Sequence, residues 1–327
     1  MNILITGSAG FIGFHLALKL LKNKYKIIGL DNLNSYYSKD FKKYRISILN
    51  KKKNFYFEKI DLKSKIAVNK LFRKYKPSVV FHLASQPGIM YSYKNPRSYF
   101  LNNIDATRNL MQVAYKNNIK KFYFTSSSSV YGNKKKFPIK ENHTLKPLNT
   151  YAKTKKKCEI ILQKFFKNTD TDLKIFRPFT VYGTFSRPDM IFITYLKKTY
   201  KNEKFYLYNN GEYIRDFTYV DDVCEILKRF IKIGKIKSNI LNICSSKPIK
   251  IKNILPIIDK HHLKKSKVEK KPLRKGEMIK TYGNNHLLKK YVKFKKFTSI
   301  QTGVRKTVRW YVNFKQKQIL QFRKVKY

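Results

Sequence analysis

The feature that most restricts this chain is Thr6-Gly7-Ser8-Ala9-Gly10-Phe11-Ile12-Gly13, which joins an apolar run, Ile3-Leu4-Ile5, to an amphipathic stretch beginning at Phe11. Three glycines at this spacing, directly after a strand and opening a helix, serve a tight turn, a close backbone approach to phosphate and close packing of helix on strand. The free amides and positive dipole end of such a helix face an anion. Asp31 ends the next apolar run, eighteen residues after Gly13, near the roughly 20 expected for an acid that binds the ribose hydroxyls of a dinucleotide. Its charge repels a 2′-phosphate, which favours NAD over NADP as the cofactor.

The alternation continues. Short β-rich runs at Lys26-Ile27-Ile28-Gly29-Leu30, Phe55-Tyr56-Phe57, Val79-Val80-Phe81, Phe122-Tyr123-Phe124 and Leu173-Lys174-Ile175-Phe176 are separated by stretches that predict helices at about 11–23, 65–75, 97–117 and 149–168. Strand and helix in turn imply an α/β fold, a Rossmann-type doubly wound parallel sheet. After Arg177-Pro178 the rhythm loosens and turn residues gather at Gly183-Thr184, Asn209-Asn210-Gly211 and Ser245-Ser246. We divide the chain into an NAD-binding domain, residues 1–178, and a smaller C-terminal, mainly substrate-binding region, residues 179–327, partly interleaved with the first. No repeat or low-complexity linker separates them, so both are expected to pack around one cleft.

Composition excludes disorder, because 42% hydrophobic and 15% aromatic residues supply a core. The charge needs its own account. There are 73 Lys and Arg against 19 Asp and Glu, a formal +54, a balance met in proteins that bind nucleic acid or anionic membranes. The excess is spread along the chain, as in Lys51-Lys52-Lys53, Lys134-Lys135-Lys136, Lys155-Lys156-Lys157 and Lys264-Lys265, with no separate basic tail. Lys, Asn, Ile, Phe and Tyr all have A/T-rich codons, and the spread reads as surface drift. The most lopsided stretch is the last, where Glu269 and Glu277 are the only acids after Asp259. No aromatic-plus-basic RNA-recognition motif is present, so no specific nucleic-acid partner is expected. Cys158, Cys224 and Cys244 are too scattered for a disulfide framework, and the adjacent pair His261-His262 lacks a third ligand, so no metal site is expected. No apolar run approaches the roughly 18 residues of a membrane helix, and Met1 to Leu21 lacks a basic leader. The expectation is a reduced, cytoplasmic location without membrane insertion.

Tyr151-Ala152-Lys153-Thr154-Lys155 puts Tyr151 and Lys155 at i and i+4 on one helix face. A free tyrosine, with a pKa near 10, is a poor base at neutral pH. A cation a few ångströms away favours the phenolate, so Lys155 is expected to lower that pKa. The pair follows Thr125-Ser126-Ser127-Ser128-Ser129-Val130-Tyr131-Gly132, a hydroxyl-rich segment at the carboxyl end of a strand, where open α/β sheets bind ligands.

Gly7, Gly10 and Gly13, His82-Leu83-Ala84, the serine-rich strand end, and Tyr151 with Lys155 together resemble the extended short-chain dehydrogenase/reductase superfamily, in its NAD-dependent nucleotide-sugar epimerase and dehydratase branch. Asp31-Asn32-Leu33-Asn34-Ser35-Tyr36-Tyr37, Arg177-Pro178-Phe179-Thr180-Val181-Tyr182-Gly183 with Arg187-Pro188-Asp189-Met190, and Gly211 with Arg215-Asp216-Phe217-Thr218-Tyr219-Val220-Asp221-Asp222 are similar to UDP-glucuronate 4-epimerases of the capsule-biosynthesis type. The resemblance covers essentially the whole chain. It implies C4 epimerisation of a UDP-sugar through a transient 4-keto intermediate, for cell-surface polysaccharide synthesis. Tyr151 would act as base, Ser127 would share the hydrogen bond to the same oxygen, and Lys155 would also hold the nicotinamide ribose. Cofactor contacts would come from Gly7, Gly10, Phe11, Ile12, Gly13, Asp31, Asn32, Asp61, Leu62, Ala84 and Asn103, with Asp61 meeting adenine and Asn103 bracing the helix beside the site. Ser128, Ser129 and Thr180 would position the sugar, Arg187 would grip its carboxylate bidentately, and Arg215 would meet the UDP pyrophosphate. A homodimer through a helix bundle is implied as well.

Related 4,6-dehydratases and decarboxylases carry an acid before Val-Tyr-Gly, where this chain has Ser128-Ser129-Val130, and simple epimerisation follows. Three positions depart from the family pattern: Met90, where arginine is common; Thr184-Phe185-Ser186, in place of Pro-Trp-Gly; and Lys275, where proline is common before Gly276. The first two leave a neutral or N-acetylated UDP-sugar as the alternative substrate, with a dehydratase further off. A non-catalytic NAD-binding or nucleic-acid-binding protein is opposed by the intact Tyr151, Lys155 and Ser127.

Overall fold

The central strands of the large sheet are short apolar or aromatic runs buried on both faces, as a parallel sheet between two helix layers requires, while the edge strand at Phe55–Glu58 leaves Tyr56 exposed. The computed structural model describes residues 1–323 apart from 263, 264, 275 and 295, and not the side chains of 316–323; Lys264 and Lys275 thus lie outside the described residues. The elements run β1 (Asn2–Thr6), α1 (Phe11–Leu21), β2 (Lys26–Leu30), α2 (Lys39–Asn50), β3 (Phe55–Glu58), α3 (Lys65–Tyr75), β4 (Val79–His82), α4 (Ile89–Lys94), α5 (Pro96–Tyr99), α6 (Ala106–Lys116), β5 (Lys121–Thr125), α7 (Thr150–Phe166) and β6 (Asp172–Pro178). Beyond Pro178 come β7 (Thr180–Tyr182), α8 (Ile191–Tyr200), β8 (Phe205–Tyr208), β9 (Ile214–Tyr219), α9 (Val220–Phe230), β10 (Ile240–Ile243), β11 (Pro248–Lys250), α10 (Leu255–His262), β12 (Val268–Lys271), α11 (His286–Tyr291) and α12 (Ile300–Arg323).

Seven strands pair in the order β10-β6-β5-β4-β1-β2-β3, all parallel. The order reverses between β1 and β4, and at that switch the carboxyl ends of the strands open into the cleft. One face buries α1, α9 and α11 through Phe14, Leu16, Leu20, Val223, Leu227 and Leu288. The other buries α3, α6 and α7 through Val68, Phe72, Leu110, Met111, Cys158 and Leu162. The later part forms its own core from Phe192, Tyr195, Phe217, Ile254, Val304 and Tyr311, with a small sheet β11-β9-β7 and a strand pair β12-β8. The chain nevertheless returns to the first sheet: β10 pairs with β6, and α9 lies on α1. No helix among the described residues is long and apolar enough to cross a membrane.

The expected helix at 65–75 has those bounds, and the stretch at 149–168 is helical over Thr150–Phe166. The expected helix at 97–117 is divided by a π-helical segment, Phe100–Asp105. Such widened turns gather at functional sites, and this one carries Asn103. Its amide accepts from Gln86 N at 2.6 Å and donates to Thr154 Oγ1 at 3.0 Å, tying the wall of the cleft to α7. Helices α2 and α4 were not expected, because α2 is largely basic and α4 is a single short run between Gly88 and Pro96.

A buried ion pair braces the floor of the cleft. Glu159 accepts from Arg177 Nε at 3.0 Å and from Nη2 at 2.6 Å, and also receives the Ser126 hydroxyl. Arg177 Nη1 reaches Tyr131 Oη at 2.9 Å, and that hydroxyl donates to Asn242 Oδ1 at 2.7 Å. The network joins α7, β6, β10 and the serine-rich turn. Arg177→Met is expected to lower stability by about 3–5 kcal/mol, because Glu159 is left charged and buried, while the double variant with Glu159→Met recovers most of that loss. Urea unfolding of the four proteins checks this; a double variant no better than Arg177→Met would contradict it.

Candidate active site

The glycine turn is built by contact. A Cβ on Gly13 would lie 2.2 Å from the Gly7 carbonyl oxygen, and Gly7, at φ +73, faces the Ala84 backbone, with Ala84 N only 2.8 Å from where its Cβ would be. The turn is therefore pressed between α1 and the end of β4, and no side chain fits at Gly7 or Gly13. Gly10 caps α1 without a side-chain acceptor, and the first turn of α1 holds no acid, so its amides remain for an anion. Asp31 accepts from Ala9 N at 3.1 Å and Leu33 N at 2.8 Å. Burial pushes its pKa up, resisted by Lys42, those two amides and Arg45. Asn32 Nδ2 donates to Asp61 at 3.2 Å, and Asp61 with Leu62 and Ala84 continues the same wall. A cradle too tight for a Cβ at Gly7 or Gly13, orphan amides and a ribose-height carboxylate fit NAD. Asn103, expected among the cofactor contacts, stands behind the wall and acts on Gln86 and Thr154.

The cleft, about 890 Å³, runs from this turn across the strand ends into the later region. Asn149 caps α7 by accepting from Ala152 N at 2.9 Å. Tyr151, Lys155 and Glu159 then fall on one stripe of the helix, at the site, beside it and beneath it. Ser127 caps the short turn that follows β5, accepting from Ser129 N at 3.2 Å, and its hydroxyl faces the Tyr151 phenol and favours its ionised form. Ser128, Ser129 and Thr180 line the same wall. The Ser129 hydroxyl is buried without a protein partner, although the residue lines the cleft.

The electrostatics differ from the expectation for Tyr151. Burial pushes its phenol up, while the Ser127 hydroxyl and the Arg187 charge pull it back; Lys155 is not among the influences. The Lys155 ammonium lies 4.4 Å over the Phe124 ring, and burial draws it down to about 8 against the opposing pull of Cys158 and Glu159. Spacing on the helix brings the two residues to one face, but the charge that favours the Tyr151 phenolate comes from Arg187.

Arg187 holds a second surprise. The bidentate fork expected for a ligand carboxylate is filled from within the chain: Nε and Nη2 each donate to Asp189 at 2.9 Å. Tyr36 Oη donates to the same carboxylate at 3.1 Å. Burial disfavours the Arg187 charge, yet Asp189 outweighs it and the guanidinium is held above its ordinary range. Tyr36 and Asp189 sit in strings singled out by the sequence, but their pairing, 153 residues apart, had no sequence signal. At the far end, Arg215 lies 4.8 Å over Tyr213 and 3.7 Å from Glu277. Arg274, stacked 3.4 Å over Tyr208, approaches the other oxygen of Glu277 at 3.5 Å. Arg274 and Glu277 were not read from the sequence, since nothing around them but Gly276 suggests a site. Met90, where arginine is common, lines the cleft, as does Lys94 one turn further along α4.

With this geometry in place, comparison with known proteins is informative. Residues 3–244 match the model of the NAD dependent epimerase/dehydratase family. Protein CapI of Staphylococcus aureus is 35% identical, over 97% of this chain and all of that protein. UDP-glucuronate 4-epimerase of Thermodesulfobacterium geofontis is 34% identical, over 94% of this chain and 95% of its own. The crystal structure of UDP-glucuronic acid 4-epimerase from Bacillus cereus, in complex with UDP-glucuronic acid and NAD, superposes with a TM-score of 0.90 at 29% identity, covering 96% of this chain and all of that one.

The depressed Lys155 pKa makes a signed prediction. Below about pH 8 the folded chain carries this buried charge at a cost, on the order of 3 kcal/mol for a shift from 10.5 to about 8. Between about 8 and 10.5 the folded lysine has lost its proton and the unfolded one has not, so the cost fades as pH rises. Cofactor-free Lys155→Met is therefore expected to be more stable than the parent at pH 7, by about 1–3 kcal/mol, with the gap closing toward pH 10. Urea unfolding at both pH values measures it; a gap independent of pH would contradict the assignment.

Proposed function

The chain belongs to the NAD dependent epimerase/dehydratase family, and on that premise we propose that it epimerises a UDP-sugar at C4, converting UDP-glucuronate to UDP-galacturonate. The observation that carries the reading is the meeting of Tyr151, the Ser127 hydroxyl and the Arg187 cation beside the glycine cradle, in a cleft whose carboxylates are all committed. Asp31 holds the amides of Ala9 and Leu33, Asp61 pairs with Asn32, Asp189 with Arg187, and Glu277 lies between Arg215 and Arg274. No free acid stands beside Tyr151 to drive elimination, so a 4-keto sugar formed there can only be reduced again.

In this scheme the glycine turn, Asp31 and the Asp61 wall hold NAD, which when bound supplies a reversible hydride acceptor and is unchanged over a full cycle. Tyr151 takes the proton of the sugar 4-hydroxyl as general base, and Ser127 hydrogen-bonds the same oxygen and fixes its height above the strand end. Arg187 favours the phenolate electrostatically and offers the acid sugar its Nη1 edge, which carries no protein hydrogen bond among the described residues. The Ser128 and Ser129 hydroxyls and Thr180 contact the ring. Arg215 and Arg274 face the diphosphate, where two guanidiniums sharing one carboxylate leave net positive charge. The sugar must turn over between the two half-reactions.

The division of labour between residues 1–178 and 179–327 belongs to the same proposal, as do a cell-surface polysaccharide as destination and the cytoplasm as location. The latter fits three buried free thiols. A homodimer is supported by Tyr115 and Ile160, 48% and 47% exposed on the adjoining helices α6 and α7. A neutral UDP-hexose stays the second reading because Met90 stands where the family commonly has an arginine.

Purified protein is expected to convert UDP-glucuronate to UDP-galacturonate without added NAD, and Tyr151→Phe to lose at least about a hundredfold in rate. If NMR detects no C4 epimer from any UDP-hexuronate or UDP-hexose, the function is wrong. Arg187→Ala should impair the acid sugar far more than UDP-glucose; equal losses would remove the carboxylate contact.

A further inference from the structure

We propose that Arg45 is a positioning residue that ties the cofactor-phosphate turn to the loop carrying Arg187, so that seating NAD sets the sugar side of the cleft; this rests on the cofactor and sugar assignments above. Arg45 lies in α2 and is completely buried, with no carboxylate in ion-pair contact among the described residues. A buried guanidinium without a counter-ion is costly, and an apolar side chain of similar volume usually fills such a place more favourably. Its Nε is buried with no acceptor at all, and burial lowers its pKa, with Tyr37 and Asp31 pulling the other way. Within α2 the guanidinium lies 4.3 Å over the Phe41 ring, a contact that an apolar side chain could also make.

Its hydrogen bonds are ones that an apolar side chain could not make. Nη1 donates to the Ala9 carbonyl oxygen at 2.7 Å and to Tyr37 Oη at 2.6 Å, and Nη2 donates to the Phe185 carbonyl oxygen at 2.6 Å. Ala9 sits inside the glycine turn, and its N–H is already held by Asp31. With the carbonyl drawn away by Arg45, that peptide is fixed at both ends and the remaining amides of the turn stay turned toward the anion. Phe185 sits in the loop after β7 with φ +50, a left-handed conformation that a bulky residue keeps only when its surroundings over-determine it. Those surroundings are the Arg45 bond and an aromatic clasp: the Phe185 ring lies 4.8 Å from Phe14 on α1 and 4.8 Å from Trp310 on α12. The preceding carbonyl, of Thr184, is held 2.8 Å from His15 Nε2 on α1.

Arg187 follows Phe185 by two residues. One side chain thus bridges the cofactor turn and the anchor of the sugar loop, and hydride transfer tolerates little error between the two.

The test is hydrogen exchange of the full chain, followed by mass spectrometry at residues 184–190, with and without NAD and with no sugar present. In the parent protein NAD is expected to slow exchange there by about fivefold or more. Arg45→Met should still bind NAD yet lose that slowing, and Arg45→Lys, which keeps the charge but reaches fewer acceptors, should fall between. With UDP-glucuronate, Arg45→Met should lose more than about tenfold in kcat with KM moved less than about threefold, whereas a merely structural defect would reduce the active fraction and leave the NAD-dependent slowing intact. Full NAD-dependent slowing in both variants overturns the proposal; if Arg45→Met does not fold, the Arg45→Lys result decides in the same terms. The exchange arm uses NAD alone, so absence of epimerisation by the parent protein would remove the assigned reaction without touching this result.

Discussion

Everything at the site depends on a steric constraint between backbone atoms at the end of β1. Gly13 meets the Gly7 carbonyl with no room for a methyl group, and Gly7 meets Ala84 in the same way. That contact sets how close α1 comes to the sheet, where its uncapped amides point, and where the carboxyl end of β4 lies. The switch in strand order then places β5 and its serine turn on the opposite lip. A larger residue in the turn would separate helix from strand and remove the phosphate seat together with the packing of α1.

The opposite lip is held by charge instead of close backbone contact. Glu159 and Arg177 are buried as a forked pair, and the serine turn hangs from them through Ser126 and Tyr131. A buried pair of this kind adds little net stability, but it orients its neighbours, and here Ser126 and Tyr131 flank the Ser127–Ser129 turn proposed to meet the sugar. Above it, burial disfavours the charged forms of both Lys155 and Tyr151. The cofactor-free cleft is electrostatically costly at the points where chemistry is proposed, as functional sites often are.

The +54 of the whole chain has a more limited meaning than its size invites. The cations that line the cleft, Lys42, Lys94, Lys155, Arg187, Lys198, Arg215 and Arg274, outnumber its four carboxylates, and they face a cleft that fits a dinucleotide and a nucleotide diphosphate. Elsewhere several surface lysines sit in exposed pairs such as Lys43 with Asp40 or Lys74 with Glu58, which contribute little. A basic exterior still raises the local concentration of an anionic substrate.

Much of this was legible in the sequence because it is written in short-range patterns. The glycine turn needs only eight consecutive residues, the strands show as apolar runs, and Tyr151 with Lys155 follows from the helical repeat. The division of the helix at Phe100–Asp105, the fork of Arg187 on Asp189 with Tyr36 above it, and the role of Arg45 were not legible, because each depends on which distant segments meet. Arg45 reads as one more basic residue on a basic helix until Ala9 and Phe185 are seen on either side of it. The sequence by itself determined the sheet, the cofactor seat and the residue types of the site, since local sterics and periodicity dictate those. Only the tertiary structure decided which charges are paired, which are buried and which residues join the two sides of the cleft, because pairing and desolvation are properties of groups brought together from far along the chain.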